Sequence, residues 1–372
     1  MKKIYYITAV FATLFLVGCG DGIDLPGVNV ETDLNKIPLP DNNVNLEQVE
    51  LKPSTEPMLH EGLHTEEDFQ RIRDKKAAGE EPWVSAYQLL VESQFSQKTA
   101  DTYPTEWIKR GISGDENYMN AARGATIAYQ QALRWKIEQD DEYAAKAVEN
   151  LNKWVQTCVG VTGNTNLSLA AGLYGYEFAI AGELLRDYEG WDRADFAAFQ
   201  NWLLKVFYPA NDDFLKRHHD TNALHYWANW CLCNIAAKMA IGIVTDRRDI
   251  YNEGIAHLQT GDTNGRLRRA IYHDYAPDYN FAQWQESGRD QGHTLMCVGL
   301  MGIICQLAWS QGDDFFAYDD NLFLRACEYA ACCNYTNETV PYTTYIWQKQ
   351  SQWGYPIPEE QTTLGGGKWI KR

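Results

Sequence analysis

Apolar residues recur every three to four positions from Thr65 to Tyr335, and the recurrence divides this stretch into segments of helical length. Thr65-Glu66-Glu67-Asp68 opens the series as a capping box, in which the threonine hydroxyl and the acidic side chain three residues on satisfy each other's exposed amides. The pattern predicts further helices over 83–94, 118–140, 142–158, 167–187, 193–207, 221–243, 248–259, 290–310 and 321–335. Strand-like alternation is almost absent. Long helices joined by short loops imply an all-α domain of paired helices stacked around a common axis. Segments 221–243 and 290–310 are the most apolar, which predicts that both are inner helices.

The periodicity fails at the N-terminal end. Lys2 and Lys3 precede an apolar run from Ile4 to Val17, and Leu16-Val17-Gly18-Cys19 has the form of a bacterial lipobox. Residues 1–19 therefore read as a lipoprotein signal peptide, with Cys19 the lipidated residue. The run is too short for a comfortable membrane span. Residues 20–57 carry five prolines among Asp and Asn and read as a tether. No second linker follows, so 58–372 is expected to form one domain. The implied location is the bacterial outer membrane, where the lipid on Cys19 is the membrane partner and the chain faces the periplasm or the cell surface.

A net charge of -17 excludes nucleic acid as a partner, because its phosphates would be repelled. An anionic polysaccharide would require a locally positive cleft. Beyond Cys19, eight cysteines fall mostly in apolar helical runs and read as small buried side chains. Export permits disulfides. Cys231-x-Cys233 and Cys332-Cys333 lack zinc-site spacing, and neither a metal nor a cofactor is expected. Thirteen Trp and 22 Tyr exceed what helix packing needs, and aromatic faces are suited to stacking on sugar rings.

Two polar patches carry the candidate chemistry. The first contains Asn222, His225, Trp227 and Asn229; if the helix begins at Thr221, Asn222, His225 and Asn229 share one of its faces. The second runs from Arg266 to His293 and includes Arg268, Tyr272, His273 and Tyr275, followed by Gln283-Trp284-Gln285-Glu286-Ser287-Gly288-Arg289-Asp290-Gln291-Gly292-His293. This mix suits a polar, planar-faced ligand such as a sugar acid.

His225-Tyr226-Trp227-Ala228-Asn229-Trp230, the Gln285–His293 run and Arg268-Arg269-Ala270-Ile271-Tyr272-His273-Asp274-Tyr275-Ala276 together resemble signatures of the alginate lyase superfamily. The resemblance covers roughly Leu59 to Pro341, and the Trp-Gln-Glu-Ser-Gly-Arg-Asp-Gln block looks closest to polysaccharide lyase family thirty-eight. It implies an (α/α) toroid and an enzyme that cleaves alginate or glucuronan. It also implies roles for individual residues. Asn222 and His225 would neutralise the sugar carboxylate and transfer a proton, Tyr275 would be the catalytic tyrosine with Tyr272 its rival, and Arg268 would stand seven residues before Tyr275 as a cation that lowers its phenol pKa. The family's Asn and His are adjacent, whereas Ala223 and Leu224 separate them here, so His219 and His273 are alternatives to His225.

The chemistry explains the residue types. Cutting a 1,4-linked polyuronate by β-elimination removes the C5 proton, breaks the bond to O4 and leaves a 4,5-unsaturated sugar. An ionised carboxylate beside C5 makes that proton poorly acidic, so the site must neutralise the carboxylate, supply a base and protonate O4. Asn, His and Arg suit the first task; Tyr and His suit the others. Trp227, His273, Gln285, Glu286, Arg289 and His293 are expected to bind substrate, with Arg289 as a bidentate carboxylate clamp. Ser287 is expected to cap the helix that follows, with Asp290 completing its box. Two other readings remain: a toroid glycoside hydrolase acting on uronides, using a pair of carboxyl groups among Asp274, Asp278, Glu286 and Asp290, and a glycan-capturing lipoprotein without catalysis.

Overall fold

The computed structural model describes residues 54–335 and 340–343. The expected signal peptide, Cys19, most of the tether and the chain beyond Thr343 lie outside the described residues. The described part groups into two compact units: Ser54–Lys216 with Cys233–Gly254, and Arg217–Leu232 with the described residues from Ile255 onward.

The first unit opens with α1 (Glu66–Ala77). Thr65 and Asp68 form the expected capping box, each side chain accepting the other's main-chain N–H. There follow α2 (Trp83–Glu92), β1 (Trp107–Arg110), α3 (Tyr118–Glu138), α4 (Asp141–Thr157), β2 (Gly160–Gly163), α5 (Leu167–Leu184), α6 (Arg193–Val206) and α7 (Tyr208–Arg217). α3 packs against both α4 and α5. Gly124 makes the α3–α4 approach possible, because a Cβ there would meet the Trp154 indole at 2.2 Å. Nearly all of α5 is buried. β1 and β2 pair in parallel, Trp107 opposite Gly160, where the sequence showed almost no strand-like alternation. Four-residue strands are too short to show alternation.

α8 (Ala228–Val244) and α9 (Arg248–Thr260) pass from one unit to the other along the chain. Every residue of α8 is buried, as an inner helix requires. The buried Lys238 ammonium is satisfied by Asp212 at 2.8 Å and Glu253 at 2.5 Å. The helix predicted from Thr221 begins only at Ala228. Residues 221–227 form a loop, so Asn222, His225 and Asn229 do not share a helix face.

The second unit adds α10 (Leu267–Ala270), β3 (Ile271–Asp274), β4 (Ala282–Trp284), α11 (Gln291–Ser310) and α12 (Tyr318–Tyr335). β3 and β4 form an antiparallel pair with a bulge between Ile271 and His273. A 3₁₀ turn, Gln285–Gly288, joins β4 to α11. Asp290, rather than Ser287, is the N-cap of α11 and accepts the His293 N–H; Ser287 Oγ instead donates to Trp284 O. The eight cysteines described are all free thiols, and Cys158, Cys231, Cys233, Cys297 and Cys305 are buried.

Candidate functional site

Every predicted catalytic and substrate-binding residue lies in the second unit. His218, His219 and Asp220 have φ of 49°, 52° and 59°, and this left-handed turn leads into the loop. Asn222 then folds the loop back on itself: its Oδ1 accepts the Leu224 N–H at 2.8 Å and its carbonyl accepts the His225 N–H at 2.9 Å. Such local bonds compete with helix and explain why α8 starts late. Asn264, fully buried, donates to Leu224 O at 3.0 Å and Tyr226 O at 2.8 Å and so fixes the loop from outside. The His225 ring stands edge-on to Tyr226, 4.9 Å between centroids.

The start of α8 ties this loop to the second patch. Gln285 Oε1 accepts the Ala228 N–H at 2.8 Å, and Glu286 Oε1 accepts the Asn229 N–H at 3.3 Å. Two amides that a helix leaves exposed at its N-terminus are thus satisfied by side chains 57 residues away. Both side chains are fully buried. Gln285 and Glu286, expected to contact substrate, are 0% exposed and bonded to the start of α8, where the Asn222–Trp227 loop ends. Burial raises the Glu286 carboxyl above the ordinary range, against the pull of Arg289.

Arg289 lies 3.4 Å from Glu286 Oε2, and its guanidinium is 5.5 Å from the Trp227 ring. Asp290 receives His293 twice: Oδ1 accepts its main-chain N–H, and Oδ2 lies 2.6 Å from ring Nδ1. Burial alone would raise the Asp290 carboxyl, yet the His293 bonds hold it below the usual range.

The β3–β4 hairpin carries both tyrosines. Tyr272 is 1% exposed, while Tyr275, past the strand end, is partly exposed. Gln283 on β4 joins them: Nε2 donates to Tyr272 Oη at 3.0 Å and Oε1 accepts from Tyr275 at 2.5 Å. The main chain of Thr343 brackets the same amide, donating N–H to Oε1 at 2.8 Å and accepting from Nε2 at 2.9 Å. Tyr275 Oη also lies 3.1 Å from Thr343 Oγ1. His273 stands edge-on to Tyr275 at 4.5 Å, and its buried Nδ1 has no hydrogen-bond partner among the described residues. Burial lowers the His273 pKa, so the ring is neutral at pH 7.

One ion pair to α12 fastens the hairpin and another fastens α10 just before it. Arg325 grips Asp274 through both guanidinium ends, and Arg268 pairs with Asp319. The cation expected to depress the Tyr275 phenol is therefore neutralised by its own partner, and burial pushes that phenol above the ordinary tyrosine range. The predicted residues thus fall into two joined groups. Trp227, Gln285, Glu286, Arg289 and His293 gather around the start of α8, and Tyr272, His273 and Tyr275 gather on the hairpin that runs directly into the Gln285 turn. Gln283, Asn264 and Thr343 had no assigned role in the sequence; Gln283 stood in view at the head of the Trp-Gln-Glu block, but nothing local marks the other two.

Residues 73–338 match the family model described as alginate lyase. No curated protein matches the chain. Among solved structures, the alginate lyase A1-III from Sphingomonas species A1 is 13% identical with a TM-score of 0.51, over 74% of this chain and 79% of that one. An alginate lyase from Bacteroides ovatus is 15% identical with a TM-score of 0.53, over 72% and 82%. A tyrosine-to-phenylalanine variant of A1-III, complexed with a tetrasaccharide, is 14% identical with a TM-score of 0.52, over 74% and 79%. These likenesses give the fold class, a mostly helical (α/α) toroid type. Because the family match spans more than half of the 372 residues, the chain belongs to the alginate lyase family.

Proposed function

We propose that the chain is a polysaccharide lyase that cleaves a 1,4-linked polyuronate by β-elimination, leaving 4,5-unsaturated uronate ends, with mannuronate-rich alginate or glucuronan as substrate. The observation that carries this reading is the hairpin pair: a half-buried phenol and a neutral imidazole, Tyr275 and His273, 4.5 Å apart. Acid and base on one element act from one side of a sugar ring. In mannuronate and glucuronate, H5 and O4 lie on the same side; in guluronate they lie on opposite sides. Asn222, His225 and Arg289 are the donors we assign to the sugar carboxylate. A place in family thirty-eight belongs to the same proposal, as does the lipid anchor on Cys19, which a Cys19→Ser change would test by releasing the protein from the membrane fraction.

The candidate carboxylates speak against hydrolysis. Asp274 is held by Arg325, Glu286 is buried against α8 and Asp290 is engaged by His293, which leaves Asp278 without a partner carboxyl among the four for work across a glycosidic bond. Incubation with polymannuronate, glucuronan and polyguluronate, followed by near-ultraviolet absorbance, tests the reading. The conjugated double bond should appear with the first two and at most slowly with the third. Reducing ends without absorbance would establish a hydrolase, and binding without either product a capture protein.

A further inference from the structure

The Gln283 carboxamide makes four hydrogen bonds, the full capacity of a glutamine side chain. The oxygen and nitrogen ends of such an amide are told apart by their hydrogen-bond partners. Here the partners decide. A main-chain N–H only donates and a carbonyl only accepts, so Thr343 dictates that Oε1 is the end facing Tyr275. Oε1 only accepts, so Tyr275 is the donor at 2.5 Å. A hydrogen bond made by the neutral form opposes ionisation: a phenolate would face the amide oxygen with no proton between them, leaving the Thr343 hydroxyl, 3.1 Å away, to donate to it.

We propose that Gln283, its amide orientation locked by the main chain of Thr343, is a positioning residue that keeps Tyr275 protonated and commits it to the acid half of the reaction. The inference rests on the elimination proposed above and divides its two proton transfers. The neutral His273 imidazole takes the C5 proton, and the freed electron pair closes the C4–C5 double bond as the bond to O4 breaks. O4 takes the Tyr275 proton. The imidazolium then returns its proton to the adjacent phenolate, restoring both groups with nothing else consumed. Tyr272, buried and facing the donor end of the amide, holds the hairpin side of the lock.

NMR of protein carrying [13Cζ]tyrosine, with the Tyr275 signal identified by its loss in Tyr275→Phe, reads the ionisation directly. In the unaltered protein the signal should stay at its neutral position to the highest pH the fold tolerates. Gln283→Leu should bring ionisation down by about one pH unit or more, and the alkaline limb of kcat should move with it. Thr343→Pro removes the N–H that sets the amide together with the hydroxyl 3.1 Å from Tyr275 Oη; compared with Thr343→Val, which removes the hydroxyl alone, it carries the test where Gln283→Leu does not fold. Identical titration in unaltered and variant proteins overturns the proposal, as does a Tyr275 that already ionises below about 10 in the unaltered protein. If no polyuronate is turned over, the elimination reading falls, while the NMR titration still decides the role of Gln283.

Discussion

A group that is to hand over a proton must keep it until the substrate arrives, and in this site a neighbouring amide keeps it rather than a cation. The two tyrosines then separate by experiment. Tyr275→Phe should lower kcat by about 10²–10⁴-fold with little change in stability, since the lost proton is the one transferred. Tyr272→Phe removes the acceptor of a buried amide proton and should cost roughly 1–3 kcal/mol of stability, with a smaller loss of kcat. The reverse order of kcat losses would assign the chemistry to Tyr272. At this scale the sequence displayed the types but not the partners. Tyr275, His273 and Arg268 stand close together in the chain, yet Arg268 spends its charge on Asp319, 51 residues later by number, and Gln283 completes its bonds with Thr343. No local pattern announces a partner so distant.

Elements were more legible than their ends. The Thr65 box is where its residues place it, because a capping box is a contact between near neighbours. The start of α8 is different: apolar spacing runs on through 221–227, but Asn222 makes its own turn and Asn264 takes the carbonyls of Leu224 and Tyr226. What begins the helix is the side chains of Gln285 and Glu286, which no inspection of 221–243 reveals. Gln285→Ala should therefore act like the loss of an N-cap, about 1 kcal/mol, seen as a fall in Tm of roughly 2–4 °C. It should also weaken turnover, because the loop carrying Asn222 and His225 hangs from that helix end. Unchanged Tm would show that α8 is held from elsewhere.

For the whole molecule, the all-α class followed from periodicity, while the two short sheets escaped notice because three or four residues cannot display alternation. Buried ionisable groups add a property the sequence did not announce. Burial lowers His64 and His218 to about 4 from 6.5, and raises Glu177 to about 8 from 4.5. A depressed histidine contributes stability that is lost as pH falls from 6.5 toward 4. A raised carboxyl contributes stability that is lost as pH rises from 4.5 toward 8. His273 acts with the two histidines and Glu183 and Glu286 act with Glu177, so the two sets oppose each other below pH 6.5 and only the raised carboxyls act above it. Thermal stability should accordingly fall from pH 6.5 toward pH 8, the range over which the Glu177 carboxyl ionises in the folded protein, and Glu177→Gln should flatten that fall. An alkaline fall that survives this substitution would place its origin in other groups.

The buried thiols bear on how such a chain is made. Burial pushes Cys158 to about 11 and Cys231 to about 12, and raises Cys305 as well, so in the finished protein these sulfurs are scarcely thiolates and react slowly with disulfides. An unfolded copy has no such shelter. For a chain exported as proposed, collapse must outpace the oxidising surroundings, and the interior that gives the enzyme its shape also serves as its antioxidant.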